Sequence, residues 1–128
     1  MAEWYEIASD ARKAANRLVT DHYGSCLSRA YYAAYSKVTQ ELSQAPGVTF
    51  PAGREGPSHP GETGTGGIRR LIEKSMPNMN AEKRLKLSEL VGRLYTLRVV
   101  ADYRPSVVVD SSDAREALSI MNKVFEAF

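Results

Sequence analysis

The sequence of 128 residues contains a single cysteine, Cys26. No intramolecular disulfide can form, and the paired Cys and His spacings of a structural zinc site are missing. A reducing, cytoplasmic setting and no metal or cofactor are therefore expected. No apolar run approaches the ~18 residues of a membrane span, and the opening stretch MAEWYEIASD turns acidic at Glu3 instead of running basic-then-apolar like a secretion signal. Neither membrane insertion nor secretion is expected. An excess of one charge is lacking too: 17 basic residues face 15 acidic ones, a formal +2, interspersed along amphipathic stretches rather than gathered into the basic stripe of a dedicated nucleic-acid domain. Strand-forming text is confined to Val107-Val108-Val109, and one run of three residues builds no sheet. Only two histidines occur, His22 and His59.

What is present reads as helix. At 43% hydrophobic and 25% charged residues the chain has a globular composition, and its length suits one domain over 1–128. Residues 46–67 hold seven of the nine glycines and four of the six prolines, so this stretch is a long Gly/Pro-rich loop of weak order between two helical blocks. Before it, Trp4, Ile7, Ala8, Ala11, Ala15, Leu18 and Val19 recur at helical steps over about residues 2–20. Leu27, Ala30, Tyr31, Ala34, Val38 and Leu42 do so over about 22–44, with Gly24 a point of bending and Pro46 the stop. These two helices should pack antiparallel through a short turn. After the loop, Ile68, Leu71 and Ile72 predict a short third helix closed by Pro77. A fourth is capped by Asn80, carries Leu87, Leu90, Val91, Leu94, Leu97 and Ala101 on one face, and ends before Pro105. Ser112 or Asp113 should cap the last helix, which buries Ala117, Leu118, Met121, Val124, Phe125 and Phe128. The expected fold is all-α, an up-and-down bundle of four to five helices.

Two clusters stand out as candidates for chemistry. In Ser28-Arg29-Ala30-Tyr31-Tyr32-Ala33-Ala34-Tyr35, Tyr31 and Tyr35 share one helix face while Tyr32 points about 100° away. The cluster reads either as an aromatic core with its hydroxyls tethered at the rim or as a stacking and hydrogen-bonding wall beside Arg29. In Leu94-Tyr95-Thr96-Leu97-Arg98-Val99-Val100-Ala101-Asp102-Tyr103-Arg104-Pro105, Arg98 and Asp102 are four apart and can pair. That pair can fix helix register, and Arg98 also suits the negative end of the helix dipole.

The order of these texts, SRAYYAAYSKV, then a Gly-Pro-Ser-His-Pro step, then LYTLRVVADYRP and a capped final helix, resembles the HEPN family (higher eukaryotes and prokaryotes nucleotide-binding domain) from about residue 5 to 126. The likeness is closest to its small stand-alone prokaryotic members. The resemblance implies a helical bundle that forms a homodimer, and a partnership with a minimal nucleotidyltransferase as a pair of toxin-antitoxin type. It also implies where a metal-independent ribonuclease site would lie: an arginine followed by a polar residue, with a histidine four to six intervening residues on, near the fourth helix. Arg98 matches that arginine, but Val99 follows it, Tyr103 stands where a histidine would, and no histidine occurs after His59. A phenol with a reference pKa near ~10 does not exchange protons at neutral pH as an imidazole near ~6.5 does.

The literal Arg-x4-His strings at Arg17/His22 and Arg54/His59 read as a helix-end and a loop histidine, because eleven arginines make such coincidences common. Gly64-Thr65-Gly66-Gly67 ahead of Arg69 and Arg70 reads as a mobile linker; as a phosphate cradle its signal is weak, without the ending of a P-loop or a preceding strand. Cys26 reads as a small buried residue, and Asp110/Asp113 as caps. The expectation is a binding or regulatory module that takes RNA, a nucleotide or a protein partner at Arg29, Tyr32, Arg98 and Tyr103. Two alternatives stand beside it. One is a ribonuclease toxin using Arg98, with Asp102 and Tyr103 as further catalytic candidates or His59 delivered by the loop. The other is a structural subunit of a larger assembly.

Overall fold

The structure, a computed structural model, describes residues 3–51, 53–60 and 67–128. Among them are five helices and no strand: α1 (Trp4–Leu18), α2 (Tyr23–Ser43), α3 (Ile68–Ser75), α4 (Ala81–Tyr103) and α5 (Ser111–Glu126). Side-chain pairings fix their directions. Cys26 meets Ala15 and Tyr35 meets Trp4, so α1 and α2 run antiparallel. Ser28 reaches Asp102 and Tyr31 packs on Tyr95, so α4 runs against α2, and Arg93 bonds Glu116 where α5 returns along α4. The four long helices therefore form an up-and-down bundle, with α3 packed on α4 and α2.

Helix ends follow local chemistry. The Asn80 side chain accepts from the Lys83 amide and caps α4. At α5 the cap is Asp110 rather than Ser112 or Asp113: its side chain accepts from the Asp113 amide while Asp113 returns the bond to the Asp110 amide. Asp110 prevails because it starts a reciprocal box at a spacing that leaves Ala114, Ala117 and Met121 facing inward. Gly24 does not bend the chain; it sits within the first turn of α2.

The hydrophobic stripe of α2 is buried as read, but the buried arc is wider. Cys26, Ala33, Tyr35, Ser36 and Thr39 are buried as well, because α1, α4, α5 and residues 56–58 surround this helix. At the bundle's periphery the stripes are only partly covered: Leu90, Ala101, Leu118 and Phe125 are half-buried, and Phe128 is exposed.

Within 46–67, Val48 and Phe50 pack on the core, and Gly56, Pro57 and Ser58 are buried. At these residues the loop lies packed on the core, which the expectation of weak order did not include. Glycine and proline forbid a helix here, yet they leave the backbone able to lie directly on α2. The Ser58 carbonyl accepts from the Ile68 amide at 2.8 Å, so the end of this packed segment is tied to the start of α3. Glycine also has a reason inside α4. A Cβ at Gly92 would come within 2.9 Å of Arg69 Nη1, so the missing side chain lets the Arg69 guanidinium lie on the helix.

Candidate functional site

The tyrosines of α2 divide as their spacing requires. Tyr31 and Tyr35 are buried, and Tyr32 is exposed. Tyr35 is held by an edge contact with Trp4 and stacks on Tyr32, and its hydroxyl donates to the Pro57 carbonyl at 2.7 Å. That bond works only because residue 56 is glycine, since a Cβ there would sit 2.7 Å from the Tyr35 hydroxyl. Two residues further along, His59 docks on the same aromatic wall. Its ring centroid is 4.6 Å from that of Tyr35 and 5.6 Å from that of Tyr31, and it stacks at 6.4 Å on Tyr95 of α4. The His59 Nδ1 and the Tyr31 hydroxyl are hydrogen-bonded at 2.6 Å, with the direction set by the imidazole tautomer. The bond holds the ring in place with either tautomer.

Arg98, one turn beyond Tyr95 on α4, also reaches Tyr31. Its guanidinium lies 5.6 Å from the Tyr31 ring centroid, within cation–π range, and pairs with Asp102 at 3.3 Å. Asp102 accepts a second bond from the Ser28 hydroxyl at 2.6 Å, which ties α4 to α2 at this point. Around these contacts opens a cleft of about 420 Å³, lined by Ser25, Ser28, Arg29, Tyr31, Tyr32, His59, Arg98 and Asp102. Its volume falls within the range of about 300–1,000 Å³ usual for small-ligand sites. The lining holds two guanidiniums against one carboxylate, with tyrosine surface and serine hydroxyls between them.

Of the residues singled out in sequence, Arg29, Tyr32, Arg98 and Asp102 thus line one cleft, while Tyr103, at the end of α4, is exposed and lies outside its lining. His59, which reads from sequence as a loop histidine, lines it too. Its neighbour in sequence pattern, Arg54, is not among the lining residues. Sequence offered His59 at a site only as the alternative delivered by the loop; the firmer signal was the Gly-Pro-Ser-His-Pro step itself, a glycine able to lie on a tyrosine followed by a rigid turn that carries the imidazole. Ser25 was not singled out in sequence, and Ser28 stood in the tyrosine cluster without an assigned role; they lie three apart on α2. His22 stays away from the cleft, at the start of α2, with its side chain 64% exposed and 3.9 Å from Asp21. Gly64, Thr65 and Gly66 lie outside the described residues.

No protein-family model, curated protein or solved structure matches this chain.

Cys26 is buried, and its thiol donates to the Ala15 carbonyl at 3.3 Å; burial pushes its pKa upward, against the reactive thiolate. Among the described residues no group of His, Cys, Asp and Glu is arranged to hold a metal ion, and no helix is long and apolar enough to cross a membrane.

Proposed function

We propose that the protein is a HEPN-like binding module that takes a phosphate-bearing ligand, RNA or a nucleotide, in the cleft between α2 and α4. The observation that carries this reading is the convergence of Arg29 and Arg98 with the exposed Tyr32 ring in one cleft. Guanidiniums meet phosphate oxygens with paired N–H donors, and tyrosine offers a face for a base. One carboxylate, Asp102, offsets one of the two cations and leaves the lining positive. In this reading the module works as a homodimer beside a minimal nucleotidyltransferase, as one component of a toxin-antitoxin pair in the cytoplasm. The exposed apolar side chains of Tyr103, Val107 and Val108 support an interface between copies.

A second reading, a metal-independent ribonuclease, is favoured by His59 lining the same cleft as Arg98. The imidazole takes the proton of a ribose 2′-hydroxyl as that oxygen bonds to the adjacent phosphorus. The bond to the 5′-oxygen breaks, solvent protonates the leaving oxygen, and Arg98 meets the charge that develops on phosphorus. This assigns to His59 the role that the missing fourth-helix histidine leaves open.

One experiment separates the readings. Purified protein is incubated with total RNA under chelator, and binding to a labelled oligoribonucleotide is followed by anisotropy. The binding module retains RNA without cleaving it and loses affinity in Arg98→Ala. Cleavage abolished in both Arg98→Ala and His59→Ala establishes the nuclease instead. Affinity unchanged in Arg98→Ala, with no cleavage, rejects both.

A further inference from the structure

His59 stands at the boundary of two hollows. Besides the cleft it lines a larger groove of about 560 Å³, together with Pro60, Gly67, Arg69, Arg70, Glu73 and Lys74. Its charges do not all have the same freedom. Arg69 donates from Nε to the Ser88 hydroxyl at 2.9 Å, and Ser88 donates onward to Glu73 at 2.8 Å, so Arg69 and Glu73 belong to one internal relay against α4. Arg70 and Lys74 are exposed and carry no side-chain hydrogen bond or ion pair among the described residues. They are four apart, hence on one face of α3. Arg70 also sits in the first turn of α3, at the positive end of the helix dipole, where a cation is unfavourable and an anion is welcome.

From this arrangement we infer that the groove is a second phosphate subsite, in which Arg70 and Lys74 hold the continuation of an RNA strand whose neighbouring nucleotide occupies the Arg29–Arg98 cleft. The inference rests on the reading of that cleft as a site for RNA or a nucleotide, and it decides between those two. A mononucleotide fills the cleft alone; a strand crosses His59 and fills both hollows. His59 is then the partition between adjacent nucleotides, which is where a phosphodiester would lie.

The test uses two probes: uridine 3′-monophosphate, and a labelled hexauridylate with 2′-O-methyl groups, which cannot be cleaved through its 2′-oxygen. The variants are Arg70→Ala/Lys74→Ala and, separately, Arg98→Ala, each checked for unchanged helicity. Removing two contacts to a single strand lowers the slope of log affinity against log salt by about 1.4. Between about 50 and 200 mM salt, wild-type affinity for the hexamer should therefore fall about sevenfold more than that of the α3 double variant. The double variant should bind the monophosphate as the wild type does. An unchanged salt slope for the hexamer, or an equal loss for both probes, overturns the second subsite. Unchanged binding of both probes in Arg98→Ala overturns the cleft reading instead, whatever the α3 variant does.

Discussion

Replacing Gly56 with alanine should detach His59 from the cleft without unfolding the bundle. The added Cβ would lie 2.7 Å from the Tyr35 hydroxyl and 3.4 Å from both Thr39 Cγ2 and Trp4 Cζ2. A flexible side chain would yield cheaply, but Tyr35 is only 7% exposed and is wedged among Trp4, Tyr31, Tyr32 and His59. The backbone at 56–57 must move instead, and the Pro57 carbonyl then loses the Tyr35 hydroxyl. Leaving a buried carbonyl without its donor costs about 1–3 kcal/mol, and at 1.4 kcal/mol per tenfold this raises local opening by about 5- to 150-fold. The readout is amide exchange at Ile68, whose N–H is held by the Ser58 carbonyl at 2.8 Å. Exchange there should accelerate within that range while amides in the middle of α2 keep their protection. Unchanged exchange at Ile68 would show that Tyr35 does not anchor the loop and would refute the reasoning. Equal acceleration throughout α2 would refute it too, because the loss would then be global.

Three further outcomes follow from particular contacts. Asp102→Asn removes the carboxylate paired with Arg98 at 3.3 Å; one charge about 6 Å from a bound phosphate is worth about 0.7 kcal/mol in a water-like dielectric, so titration calorimetry should show affinity for uridine 3′-monophosphate rising about threefold. Asp110→Ala removes the bond that the Asp110 side chain accepts from the Asp113 amide, while the residue-110 amide can still donate to Asp113, and should cost about 1 kcal/mol in urea unfolding. Native Cys26 should react with a thiol reagent far more slowly than the unfolded chain. Burial raises its pKa above the unfolded value, so the unfolded thiol ionises first; stability should hold below the ordinary thiol range and decline as pH rises through and beyond it, a decline that Cys26→Ala removes.

The elements of the fold were legible because they rest on local chemistry. The inward row from Leu27 to Leu42, the Asn80 cap and the Pro46 and Pro77 stops each act within a few residues. The choice of Asp110 over Ser112 as the α5 cap was harder, since Asp110, Ser111, Ser112 and Asp113 offer four competing side chains and only the register of the buried face selects among them. The arc of Ser36 and Thr39 was hidden because polarity argues for exposure, whereas the surrounding elements bury them. In the cleft, the α2 and α4 contributions follow from helical spacing. His59 did not, because its placement depends on contacts with tyrosines 24 to 36 positions away, made by a segment whose composition speaks only against helix. Tyr103 became a candidate through the resemblance, as the residue standing where a histidine would follow Arg98, and it lies outside the cleft because the two are five positions, about 140° of helix rotation, apart.

The central claim is that Arg98 and His59 face one phosphate-bearing ligand. The two histidines allow a direct measurement. In proton NMR the ring resonances of His59 and of the exposed His22 are recorded while uridine 3′-monophosphate is added, and the Arg98 side-chain Nε–H resonance is followed in the same titration. The His59 and Arg98 resonances should shift with a common saturation midpoint while His22 stays still. A titration that moves neither, or that moves His59 and Arg98 with different midpoints, contradicts a shared ligand.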